Sequence, residues 1–188
     1  RKKDVMALLT KAITGSEYAL LRRNICHKQF AGEVVLRKTS AHDYDFCEAL
    51  FIDTHQAPLQ QAGWDASQRL AYLQPQFARR ERGIRHDCQQ TNDMIIQCNG
   101  VDCGRLLVDY QDVDWQLIDI ELCSEWCGRG INDFILSQLC ADADEAGRLI
   151  AARVAFDNPL LGQLRRLDFE VCELGRVYLR LQRQPRSQ

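Results

Sequence analysis

The sequence predicts a single α/β domain, and three observations carry that prediction: period-two alternation between residues 94 and 122, helical spacing on both sides of it, and a late apolar strand that follows a helix. The chain of 188 residues is 46% hydrophobic and 27% charged, enough to bury a core. Apolar stretches such as Leu149 to Phe156 are broken by Arg153, well short of the roughly 20 residues a membrane helix needs. No membrane partner is therefore expected. Lys11 cuts the apolar run that begins at Val5, so no secretory signal is predicted.

Taken in order, Asp4 can cap a helix bearing Val5, Met6, Leu8, Leu9 and Ile13, which Gly15 stops before a second short run from Tyr18 to Leu21. Residues 1–31 read as a basic helical extension, 32–183 as the domain proper, and 184–188 as a polar tail. Glu33 to Lys38 is a strand; Ser40 or Asp43 caps a helix with Phe46, Ala49, Leu50 and Ile52 on its apolar side. Asp65 starts another helix bearing Leu70, Leu73 and Phe77, with a kink or break expected at Pro75. Met94 to Cys98, the turn Asn99-Gly100, and Cys103 to Tyr110 make a hairpin. Trp115 to Leu122 adds a third strand whose alternation puts Leu117, Asp119 and Glu121 on one face and Ile118, Ile120 and Leu122 on the other. Gly128-Arg129-Gly130 then precedes a helix that ends near Gly147. Leu149 to Phe156, interrupted by Arg153, is a strand mostly buried on both faces, Asn158-Pro159 opens a short helix to Leu167, and Val171 to Leu181 closes as a hairpin.

The charges nearly balance, 24 basic against 26 acidic, so the whole chain has no electrostatic footprint for nucleic acid. Residues 1–30 hold seven Lys or Arg and only two acidic groups; the simplest reading is an amphipathic segment with a solvated basic face, and a nucleic-acid arm is the lesser one. Arg79, Arg80, Arg82 and Arg85 read as a solvated helix face that could favour an acidic acceptor. The nine cysteines are odd in number and fall partly in apolar segments, as free thiols do. A reducing, cytoplasmic location is expected, with no metal site, since no Cys or His group has ligand spacing.

The chemistry concentrates in one constellation: strand, two-glycine loop, helix, strand, Asn-Pro, second helix. A glycine-bearing loop at a helix N-terminus offers uncrowded N–H groups and the positive dipole end to a pyrophosphate. Leu117 to Leu122, Gly128-Arg129-Gly130-Ile131, Asp157-Asn158-Pro159 and Leu167 to Val171 occur in that order. With this spacing the chain resembles the GNAT family of acetyl-CoA-dependent N-acetyltransferases over residues 32 to 183. The resemblance implies a mixed, mostly antiparallel sheet, splayed at the strand ending near Leu122 and flanked by helices. It also implies acetyl-CoA (CoA) as cofactor and direct transfer to a primary amine, on a small molecule or a protein. Backbone groups of Leu122 and Cys123 would hold pantetheine; Gly128, Arg129, Gly130, Ile131 and Asn132 would hold phosphate; Asn158 matches the family residue near the cofactor arm. Glu121 is the implied base, either acting through water or standing as a salt-bridged strand residue.

Four positions depart from the family pattern. Cys127 and Asn132 replace the usual Gln or Arg and Gly or Ala at the ends of the loop, Leu164 stands at the general-acid Tyr position, and Asp168 replaces a Gly. The alternative these departures leave open is a degenerate GNAT-fold binding or assembly module. A homodimer is possible. Cys127, at a helix N-terminus beside Arg129, is expected to have a depressed pKa, and two carboxylates on one strand face would raise the pKa of one of them.

Overall fold

A computed structural model describes residues 21–27, 30–87, 91–111 and 114–186. The helical segments read before residue 21 lie outside the described residues. Leu21–His27 (β1), which falls inside the expected helical extension, is instead a strand paired antiparallel with Phe30–Lys38 (β2). Helix periodicity over so short a run carries little weight against a neighbouring strand that needs a partner.

Ser40 caps a short 3₁₀ turn, Ala41–Asp43, through a reciprocal capping box with Asp43. Tyr44–His55 (α1) and Ala57–Gln61 (α2) follow, then the long helix Ala66–Asp87 (α3). Asp65 starts α3: its Oδ1 accepts the Gln68 N–H and its own N–H donates to Gln68 Oε1, each at 2.9 Å. Pro75 does not break this helix. Leu73 and Phe77 on either side of it are buried against Cys47 and Phe51 of α1 and Ile95 of the sheet, and that packing outweighs one missing backbone bond. Leu70, expected on the same apolar face, is exposed.

Among the described residues the sheet has eight strands in the order β1-β2-β3-β4-β5-β6-β8-β7. Thr91–Cys98 (β3), Val101–Tyr110 (β4) and Asp114–Leu122 (β5) form the predicted meander. Its tight turn is left-handed at both central residues, Asn99 (φ 51°) and Gly100 (φ 80°), the conformation Asn-Gly supplies at low cost. Ile131–Ala146 (α4) crosses to Leu149–Ala155 (β6), which lies parallel to β5. Leu160–Arg166 (α5), Glu170–Leu174 (β7) and Tyr178–Arg183 (β8) complete the chain, with β8 inserted between β6 and β7. The sheet is thus mixed and mostly antiparallel, flanked by helices.

The main core lies under α4: Ile131, Ile135, Leu136 and Leu139 meet Leu106, Val108, Leu117, Ile120, Ile150, Ala152 and Leu181. Ile150, Ala151 and Ala152 are buried, as the continuous apolar run requires, while Arg153 faces out. Among the described residues no helix is long and apolar enough to cross a membrane.

Candidate active site

Among the described residues, strands β5 and β6 touch over four residue pairs, Asp114–Leu117 against Leu149–Ala152. Beyond them β5 continues on β4 as far as Leu122, and β6 continues on β8. The sheet therefore parts in a V from Ile118 onward. A β-bulge marks the parting point, since Val108 opposes Leu117 and Leu107 opposes Asp119, which leaves Ile118 unpaired. The bulge also corrects the expected alternation. Leu117 lies on the core face with Ile120 and Leu122, and Asp119 and Glu121 have the opposite face.

Within the V, main-chain direction decides which groups a ligand meets. Cys123 N–H donates to Cys103 O at 2.8 Å, so Cys123 and, two residues back, Glu121 bond toward their β4 partners Cys103 and Arg105. The backbone groups of Ile120 and Leu122 then point into the opening. Cys123 differs from its expected part: its N–H is bonded into the sheet, and its C=O accepts the Trp126 N–H at 2.8 Å. Gly104 permits the close approach of β4 and β5 here, because a Cβ on it would collide with Glu121 O and come within 2.6 Å of Leu122 Cδ2.

The loop after β5 ends in two left-handed glycines, Gly128 (φ 73°) and Gly130 (φ 82°), with Gly130 as the N-cap of α4 and no side-chain cap on that helix. The first-turn N–H groups of α4 have no intrahelical acceptors and carry the positive dipole end. Arg129 stacks over the Trp126 ring at 4.8 Å, which holds it beside the loop. Asn132, one residue into the helix, has a buried side-chain oxygen without a hydrogen-bond partner. Asn158 uses its Oδ1 to accept the Leu160 N–H at 2.9 Å and so starts α5. An open strand edge and an uncapped helix N-terminus behind two left-handed glycines together fit a long, phosphate-bearing ligand such as CoA. Leu164 is fully buried in the main core, and an alkyl side chain there supplies no proton.

On the opposite face, α1 and α3 bring groups onto the two carboxylates. Glu121 is buried; Arg80 Nη1 donates to its Oε2 at 3.1 Å, Thr54 Oγ1 donates to its Oε1 at 3.1 Å, and His55 Nδ1 lies 3.7 Å away. Arg80 Nη2 bonds Asp119 in turn, with its guanidinium 5.3 Å over the Phe51 ring. Arg80 is therefore not part of a solvated basic face, as the run of arginines suggested. Desolvation, and then the neighbouring Glu121 charge, push the Asp119 carboxyl up to about 6. Asp53 completes the link to α1 by accepting the Ser124 N–H at 2.7 Å. The signal for Asp119 was present in the sequence as a paired carboxylate, yet Arg80, Thr54 and His55 are visible only once the helices are packed.

Cys127 departs from its expected behaviour. Desolvation first, then Asp53, raise its thiol pKa, and its Sγ is near two carbonyl oxygens, Leu122 O at 3.7 Å and Cys123 O at 3.6 Å. Surroundings of that sign favour the thiol over the thiolate.

No protein-family model matches the chain, and no curated protein matches it. Solved structures do. An N-acetyltransferase, PaiA, of Thermoplasma acidophilum in complex with coenzyme A superposes with a TM-score of 0.60 at 11% identity, covering 80% of this chain and 98% of that one. An acetyltransferase of Thermus thermophilus gives 0.59 at 17% identity, covering 86% and 99%. A GNAT-family acetyltransferase of Listeria monocytogenes gives 0.54 at 16%, covering 86% and 99%. The chain has the GNAT fold. At these identities the likeness extends to architecture alone, and a functional reading stands on this chain's own splayed strands, two-glycine loop and carboxylate pair.

Proposed function

We propose that this chain is a CoA-dependent N-acetyltransferase that transfers an acetyl group directly to a primary amine in a ternary complex. The observation that carries the reading is the joint presence of an open β5 edge leading to a doubly left-handed glycine loop and, on the other face of the same strand, a carboxylate pair with one raised pKa. Gly128, Arg129, Gly130, Ile131 and Asn132 would hold the pyrophosphate, Leu122 and Ile120 the pantetheine arm through their main chains, and Asn158 its flank. Bound acetyl-CoA supplies the acetyl group as a thioester.

The protein's own residues supply the proton chemistry. An amine attacks only when unprotonated, so a group must take its proton. Asp119, near 6, is mostly ionised at neutral pH yet close enough to it to exchange protons. Glu121, the other carboxylate on this face, is held by Arg80 and Thr54 at the same site and stands beside Asp119 as a proton acceptor. Arg80 bridges both carboxylates and fixes their geometry. Leu164 leaves the departing thiolate to solvent.

Calorimetric titration with acetyl-CoA and with CoA tests the reading first. Micromolar affinity is expected, and Glu121→Gln should keep that affinity while losing turnover on an amine panel. No binding at millimolar cofactor would reject the enzyme and favour the degenerate binding module.

A further inference from the structure

On the far side of the splay, β6, β8 and the turn before β8 set three arginines, Arg153, Arg176 and Arg180, against one carboxylate, Glu173, in the lining of one cavity. Arg153 and Arg180 are direct cross-strand partners. They lie on the sheet face opposite Val154, Leu179 and Leu181, which enter the main core. Like charges placed opposite each other on one sheet face repel. Arg176 joins them in the wall of a cavity of about 210 Å³ that Glu173, Val177 and Tyr178 also line. The turn that presents Arg176 is tight: Gly175 N–H donates to Tyr178 O at 2.9 Å, and a Cβ on Gly175 would sit 2.8 Å from that oxygen. Glu173 is the one carboxylate in the lining, 3.9 Å from Arg180. Arg153 leans on the Tyr178 ring at 5.9 Å, an exposed aromatic that shapes the cavity without neutralising it.

The cluster's place on the sheet gives it meaning. Leu117 pairs with Ala152, and both enter the main core. By alternation along β6, and with the Ile118 bulge on β5, Arg153 shares the opposite face with Asp119 and Glu121. The splay thus has two walls on one face, carboxylates on β5 and arginines on β6 and β8.

We infer that Arg153, Arg176 and Arg180 form an anion subsite, and that the acceptor is an amine carrying a carboxylate or phosphate as well. The inference rests on the transferase reading of the cleft. The carboxylate wall favours the ammonium end and the arginine wall the anionic end, which orients the acceptor along the V with its amine toward Asp119 and Glu121. Guanidinium groups bind either anion through paired N–H donors, so the shared chemistry is a planar or tetrahedral oxyanion.

Matched probes test this on the full chain by calorimetry: β-alanine against propylamine, and phosphoethanolamine against ethanolamine. Each anionic member should bind at least about tenfold more tightly than its neutral partner, the factor one charge-assisted contact carries; the tighter of the two anionic probes identifies the oxyanion. Arg153→Ser and Arg180→Ser, at exposed strand positions, should each weaken the anionic probes about tenfold and leave the neutral amines unchanged. Equal affinity within both pairs, or anionic affinity unmoved in both variants, overturns the subsite. A CoA titration on the same samples separates the two failures: lost CoA binding with the anion preference intact rejects the transferase reading and not the subsite.

Discussion

Replacing Arg80 by methionine tests the electrostatics of the carboxylate pair without needing a substrate. The variant keeps an unbranched stem over Phe51 and removes the cation that bridges Asp119 and Glu121. The Glu121 contact involves a side chain only 9% exposed, where a hydrogen bond to a charged group contributes about 1.5–3 kcal/mol. The Asp119 contact is 31% exposed on the carboxylate side and is discounted for solvent to about 0.5–1 kcal/mol. Together they predict a loss of about 2–4 kcal/mol at pH 8. The loss depends on pH with a definite sign. Asp119 is raised from 3.8 to about 6 in the folded protein, and Arg80 is one of the groups holding it down. A carboxyl raised on folding stabilises the fold below its unfolded value and loses that contribution as pH climbs through its folded value. Without Arg80 the folded value climbs further, so the loss runs deeper and extends to higher pH. The deficit of Arg80→Met should therefore be largest at pH 8 and shrink toward pH 5, where a protonated Asp119 no longer calls for a cation. Urea unfolding at pH 8, 6.5 and 5, with ¹³C-carboxyl NMR titration of Asp119, reads both quantities. A deficit below about 0.5 kcal/mol at pH 8, the ordinary scatter of surface substitutions, or one that grows on acidification, would refute the reasoning.

Gly104→Ala places a methyl against Glu121 O and Leu122 Cδ2; overpacking of this kind costs about 1–3 kcal/mol, measurable by urea midpoint, and it should also weaken CoA binding by moving β5. At pH 7, iodoacetamide should modify Cys127 no faster than the exposed Cys172, and mass spectrometry that found Cys127 the fastest thiol would contradict the raised pKa. Asp144 accepts both Arg183 nitrogens at 2.7 and 2.8 Å, and that contact holds its carboxyl down at about 2. A carboxyl lowered on folding stabilises above its unfolded value and loses that contribution as pH falls through its folded one, so Asp144→Asn should destabilise by about 1–2 kcal/mol at pH 7 and show a smaller deficit near pH 2.

What the chain disclosed before folding was mostly local. Asn99-Gly100 demands left-handed backbone whatever surrounds it, and Ser40 and Asp65 cap their helices through residues three positions away. The two-glycine loop was legible for the same reason. The face of Leu117 was not, because a bulge at Ile118 arises from how β4 and β5 are paired and leaves no mark in β5 alone. Arg80 read as one of several surface arginines until α3 brought it 39 and 41 positions along the chain to Asp119 and Glu121. Cys127 was judged from its sequence neighbours, while desolvation, and then Asp53 from far earlier in the chain, raise its pKa. Each miss concerns a group whose environment comes from another element.

The brevity of the β5–β6 pairing bears on how the molecule moves. Among the described residues, four residue pairs stitch the leaf of strands β1 to β5 to the leaf of β6, β8 and β7 within the sheet, and α4, packed over both, straps them as well. A seam so short is the natural pivot for breathing of one leaf against the other, on the microsecond-to-millisecond scale of collective motions. Anything wedged between the leaves must resist that breathing. Amide exchange at Asp114 to Leu117 and Leu149 to Ala152 is then a direct gauge of occupancy, slowing when the wedge is filled and recovering when it leaves.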